Sequence, residues 1–141
     1  MTSIVCVQGL GFVGSAMAVA IASARDHADK VIYEVVGLDL PTDQGRIRVD
    51  QIGRGIFPFA TEDQELVRAI KKAHEVGNLT ASTDAMVLSK ADVVVVDVHL
   101  DIPLDPSKAE PDTSSFMDAI ITIGGLAKPG VLIVVETTIP P

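Results

Sequence analysis

Short β-branched runs and longer helical stripes alternate along almost the whole chain. Ser3–Gln8 (SIVCVQ) predicts a first strand, and Phe12–Arg25 is Ala-rich and apolar nearly all round, which predicts a buried helix. Val31–Asp39 reads as a second strand and Leu79–Ser82 as a brief third. In Asp92–Val98 the valines are continuous, the pattern of a strand buried on both faces, and Val131–Glu136 is a fifth strand. Between them the helices have legible ends. Thr61-Glu62-Asp63-Gln64 fits a capping box with Thr61 as N-cap and Gln64 at N3. Leu66, Ile70, Ala73 and Gly77 then share one face, and Gly77-Asn78 is the stop. Phe116, Ile120, Ile123 and Ala127 make another stripe, closed by Pro129-Gly130. Asp84–Lys90 predicts a short helix capped by Thr83, and Pro41–Pro58 a partly helical connection. Leu100–Asp112, with Pro103, Pro106 and Pro111, reads as a surface loop. Strands alternating with helices imply right-handed βαβ units, hence a doubly wound parallel sheet in a three-layer α/β/α sandwich.

Composition narrows the class. The 141 residues suit one domain with a core able to fold unaided, and 48% apolar content with 21% charge is a globular profile. A net charge of −8 argues against nucleic acid or an anionic membrane surface as partner, because both are held by Lys and Arg. It does not argue against a small anionic ligand, which backbone amides can hold. Cys6 is the only cysteine, so an internal disulfide is excluded and a reducing compartment fits. Val13–Ala24 resembles a signal-peptide core, with Ala22-Ser23-Ala24 as a cleavage site, but no Lys or Arg precedes it. With no apolar run near the ~18 residues of a membrane span, a cytoplasmic location is expected.

Gly9-Leu10-Gly11-Phe12-Val13-Gly14 matches G-x-G-x-x-G, between a predicted strand and a predicted helix. Gly9 permits the tight turn, Gly11 leaves room for a pyrophosphate, and Gly14 allows the helix to pack closely. Free N–H groups at the start of the helix, around Phe12 and Val13, then face the phosphates. Asp39 ends the second strand 25 residues past Gly14, near the ~20 at which a ribose-binding acid is expected. Its carboxylate would accept from ribose hydroxyls and repel a 2′-phosphate, favouring NAD over NADP, although Arg46 and Arg48 stand close enough to meet that phosphate. The plainer alternative is a structural turn with Asp39 as a solvated strand end.

Several segments occur together in order: GLGFVG at Gly9–Gly14, Asp39, Gly55-Ile56-Phe57-Pro58-Phe59, Ala91-Asp92, Pro111-Asp112 and Glu136-Thr137-Thr138-Ile139-Pro140-Pro141. With these the chain resembles the NAD-binding Rossmann domain of the UDP-glucose/GDP-mannose dehydrogenase family over essentially its whole length. The ending, like the family's E-S-T-V-P-P-G-T, is the most diagnostic part. The resemblance implies oxidation of the C6 alcohol of a UDP-sugar to a carboxylate by two hydride transfers, with two NAD per sugar. It implies a cytoplasmic enzyme of nucleotide-sugar metabolism, oligomeric at full length. The family's nucleophilic cysteine, lysine and asparagine lie beyond Pro141, so the chain is expected to be the cofactor part of a longer enzyme and inactive alone. Thr138 matches a threonine placed near the nicotinamide and a catalytic water, with a plain turn threonine as the alternative. Thr83 and Val98 match positions near the cofactor, Thr83 being equally explained as a helix cap, and Glu136 either lines the same edge or only ends the strand.

Two departures stand out. After the fourth strand the family usually has V-x-T-P, where this chain has Val98-His99-Leu100-Asp101. The Pro58–Gln64 stretch displaces the acid of the family's P-I-x-E-P-G-L, so the sugar is not assigned. His99 at a strand end could act as acid or base, or be only solvated; His27 and His74 show no metal-ligand spacing. Cys6, inside the first strand, reads as inert packing. A β-hydroxyacid dehydrogenase, which also opens on G-L-G-x-x-G, and a free-standing NAD-binding sensor are the competing functions.

Overall fold

A computed structural model describes residues 2–100, 107 and 112–138. Its strands are β1 (Ser3–Gln8), β2 (Tyr33–Leu38), β3 (Leu79–Ser82), β4 (Val93–Val96) and β5 (Leu132–Val135). The helices are α1 (Phe12–Ser23), α2 (Asp43–Gly53), α3 (Gln64–Val76) and α4 (Ser114–Leu126), with a 3₁₀ helix over Ala85–Lys90. All strand pairs are parallel and the order is β3-β2-β1-β4-β5. This is the expected doubly wound sheet. Because the chain leaves β1 toward β2 on one side and returns to β4 on the other, a crevice opens beyond the end of β1.

Alternation along the strands divides the core in two. Val5, Val7, Val35 and Leu79 pack on Ala18, Val19 and Ala22 of α1 and on Ile52, Ile70 and Ala73. Cys6, Leu38, Val94 and Val96 face the other way, onto Leu88 and Ile123. The continuous valines of β4 are buried on both faces as expected, with Val94, Val95 and Val96 all inaccessible or nearly so. β5, by contrast, is an edge strand, and Leu132, Ile133 and Val135 remain exposed. α1 is not buried all round either: Val13 is 58% exposed, while Gly14, Ser15, Ala18, Val19 and Ala22 face inward. An alanine-rich helix leaves so little apolar area on its outer side that its sequence does not record which side that is.

Two caps differ from the predicted ones. α3 starts two residues later than the capping box implies, with Asp63 as N-cap accepting from the Glu65 and Leu66 amides; Thr61 instead accepts from the Asp63 amide. The 3₁₀ helix is capped by Asp84, which accepts from the Met86 amide, and not by Thr83. In both cases an acidic N-cap beside the competing threonine gains from the helix dipole as well as the hydrogen bond. Most of the expected loop 100–112, with Pro111, lies outside the described residues, as do 139–141.

Two further sequence features acquire structural roles. Asp92, of the Ala91-Asp92 pair, accepts from the Ile4 amide at 2.8 Å and from Lys128 Nζ at 2.6 Å, joining β1 to the turn before β5. The Lys128 hydrogen bond, then the Ile4 amide, hold its carboxyl below the usual range. Asn78, read in the sequence only as part of a helix stop, is buried and donates from Nδ2 to the Ala22 carbonyl (2.8 Å) and the Tyr33 carbonyl (3.1 Å). One side chain thus ties the end of α1, the start of β2 and the start of β3. Asn78→Ala should lower unfolding stability by ~1–3 kcal/mol in urea denaturation, because it leaves buried carbonyls without donors.

Candidate functional site

A cleft of about 560 Å³ lies at the carboxyl ends of the central strands. Gln8 ends β1 in it, with Gly9 and Gly11 just beyond; Leu38 and Asp39 come from the end of β2, and Asp97, Val98 and His99 follow β4. Thr83 lines it from beyond β3. Of the residues expected at a dinucleotide site, Gly9, Gly11, Asp39, Thr83 and Val98 are therefore brought together. Phe12, Val13 and Gly14 open α1 immediately beside them.

The turn into α1 depends on close backbone approach. Gly9 has φ +99°, and a Cβ there would collide with the Asp97 carbonyl. A Cβ on Gly14 would run into the Gly9 carbonyl and come within 3.1 Å of Asp97 Oδ2. The tight contact of Gly14 is thus with its own loop and the end of β4. At Gly11 a Cβ would meet nothing within 4 Å, so the space above that residue is open to a ligand. Gly11 is the N-cap of α1 and offers no side-chain cap, so the first helical amides remain available to phosphate oxygens.

Phe12 packs edge-on to Phe57 and against Phe59, with centroids 5.4 and 5.7 Å apart. The Gly55–Phe59 segment therefore buttresses the glycine turn from outside. Asp39 Oδ1 accepts from the Leu40 amide at 2.8 Å, and Oδ2 pairs with Arg48 at 3.2 Å. Arg48 also lies over the Phe59 ring, 5.4 Å from its centroid. Of the two arginines near Asp39 in sequence, Arg48 is the one that lines the cleft.

The β4–β5 side differs from expectation. Glu136 and Thr138 follow β5 on the same sheet edge but do not line the cleft, and both are exposed. Thr137, not singled out in the sequence, donates to the Val98 carbonyl at 2.9 Å and ties the strand after β5 to the end of β4. Asp97, also passed over, projects into the cleft beside Gly14. Burial, then repulsion from Glu136, raises its carboxyl above the usual range, partly offset by attraction to His99. A carboxylate at the end of a run of valines has no periodic signature, which is why the sequence did not reveal it. Gln8, another unremarked residue, lines the cleft with a buried Oε1 that has no hydrogen-bond partner among the described residues. Cys6 is fully buried, and burial pushes its thiol up to about 12, in keeping with inert packing.

Residues 3–141 match the model of the UDP-glucose/GDP-mannose dehydrogenase family NAD-binding domain. The chain belongs to that family. Its cofactor is NAD. UDP-N-acetyl-D-mannosamine dehydrogenase of Methanococcus vannielii is 34% identical over 138 residues, which cover 97% of this chain and 29% of the relative. The NDP-N-acetyl-D-galactosaminuronic acid dehydrogenase structure from Methanosarcina mazei superposes with a TM-score of 0.86 at 28% identity, covering 99% of this chain and 28% of that one. The UDP-D-ManNAc dehydrogenase structure from Pyrococcus horikoshii gives 0.77 at 28% identity, covering 98% and 29%. The chain thus spans under a third of the length of the relatives it matches. The open space at Gly11, the uncapped amides of α1 and the orphaned Gln8 oxygen fit a dinucleotide in this cleft.

The raised Asp97 carboxyl has a consequence for stability. A carboxyl harder to ionise when folded than when unfolded opposes folding above the ordinary value of 3.8, and the penalty disappears below it. Asp97→Asn should therefore raise the melting temperature by a few degrees at pH 7. Thermal melts should show that gain shrinking toward zero below pH 3.8.

Proposed function

We propose that this chain is the cofactor-binding part of a nucleotide-sugar 6-dehydrogenase, which oxidises the C6 alcohol of a UDP-sugar to the uronic acid with two NAD. The observation that carries the reading is the conjunction at one crevice of the glycine turn, the open α1 amides and Asp39. The relatives' names, UDP-N-acetyl-D-mannosamine dehydrogenase among them, favour a UDP-linked amino sugar as substrate. In this reading Gly9, Gly11, Phe12, Val13 and Gly14 hold the pyrophosphate, and Asp39 accepts from the adenosine ribose. Thr83 and Val98 flank the dinucleotide, while Glu136 and Thr138 border its nicotinamide end, where Thr138 would orient water. NAD, when bound, supplies the hydride acceptor.

The chemical steps belong to residues outside this chain. Its one thiol is buried in β1 and held protonated, so it offers no nucleophile for the second oxidation. A clean sample of the 141 residues with NAD and UDP-sugars should give no sustained rise in NADH absorbance; steady turnover would overturn this assignment of the chemistry.

Asp39 and Arg48 together set the choice of dinucleotide. Asp39→Ala removes the ribose acceptor and releases a guanidinium suited to a 2′-phosphate. Calorimetric titration should show NAD binding weakened about tenfold to a hundredfold, the worth of hydrogen bonds to a charged group, while NADP gains on NAD. Unchanged affinities for both would remove Asp39 from the ribose site.

A further inference from the structure

The two ends of the cleft carry different charge. At the β2 end Asp39 is matched by Arg48, the only Lys or Arg among the described residues lining the cleft. At the β4–β5 end Asp97 projects into the cleft with no Lys or Arg partner among the described residues. Glu136 follows the register pair Val96↔Val135 by one residue, which sets it beside Asp97 across the two strands. The remaining titratable groups are His99, which attracts Asp97, and Asp118 on the α4 wall; the first turn of α1 contributes only its backbone dipole. Among the described residues no three His, Cys, Asp or Glu side chains stand together as a metal site.

A dinucleotide lying across a doubly wound sheet places one nucleotide on each side of the central strand. With the adenosine ribose at Asp39 and the pyrophosphate at the glycine turn, the nicotinamide nucleotide falls on the β4–β5 side. Its ring carries a positive charge when oxidised and none when reduced. We infer that Asp97, reinforced by Glu136, is a specificity-determining residue that favours the oxidised, cationic cofactor over the reduced one. The inference rests on the cofactor orientation proposed above. It gives the cleft an electrostatic means of taking up NAD and releasing NADH, which an enzyme consuming two NAD per sugar must do twice in each cycle. The same carboxylate, close to Gly14, also repels the pyrophosphate, but that effect is common to both redox forms and cancels in their ratio.

The test is the ratio of dissociation constants for NADH and NAD, measured by calorimetry at pH 7.5 and low salt on the 141-residue chain. The unmodified chain should bind NAD more tightly. In Asp97→Asn the preference should narrow about threefold to tenfold, the size expected of one unit charge acting across a partly solvated cleft, while both forms bind more tightly than before. Glu136→Gln, at an exposed position, should move the ratio the same way by less, and high salt should reduce both effects. An unchanged ratio in both variants, with dinucleotide binding intact, would overturn the role of Asp97 and leave the cofactor site standing. Failure of the unmodified chain to bind either form would overturn both.

Discussion

At the centre of the sheet, the turn from β1 into α1 passes against the end of β4 with no side chain between them. The Asp97 carbonyl fills the space where a Cβ on Gly9 would lie, and the Gly9 carbonyl does the same at Gly14. The Asp97 amide in turn donates to the Gln8 carbonyl at 2.8 Å, and the Gly9 amide to the Leu38 carbonyl at 2.9 Å. The turn is therefore held between β2 and β4 by backbone contacts that tolerate no bulk. This is what aims the first amides of α1 at the crevice and holds them there before any phosphate arrives.

Packing outside the sheet supports the same turn. Phe12, Phe57 and Phe59 form a three-ring cluster at the start of α1. Arg48 connects that cluster to Asp39, so Asp39 and the glycine turn share one support. On the other side, Thr137 joins the ends of β4 and β5, and Asp92 with Lys128 joins their beginnings. These contacts fix where the carboxyl edge of β5 stands relative to the cleft, which is the condition for any role of Glu136 or Thr138. Leu132, Ile133 and Val135 of β5 remain exposed at this edge of the sheet.

Charge then acts on a scaffold already set by packing. The protein carries a net charge of −8, yet its cleft is not uniform: an ion pair sits at one end, and at the other stands Asp97, repelled by Glu136 and attracted by His99. Because the walls are partly buried, Asp97 is less screened there than it would be on an open surface.

The sequence by itself determined the strands, their parallel doubly wound class and the glycine turn, because each is written in local periodicity or in a fixed spacing of glycines and an acid. It also carried the family, through segments such as GLGFVG and the ending after Glu136 that are legible without a fold. Tertiary structure alone decided which competing polar residue became a cap, as with Asp63 over Thr61. It also decided which side of α1 is buried and that β5 is an edge. Only the fold placed Arg48 on Asp39, Thr137 on Val98, and Asp97 beside both Gly14 and Glu136. The physical reason is that these are contacts between elements far apart in the chain, set by sheet order and register. No window of neighbouring residues holds the information that brings them together.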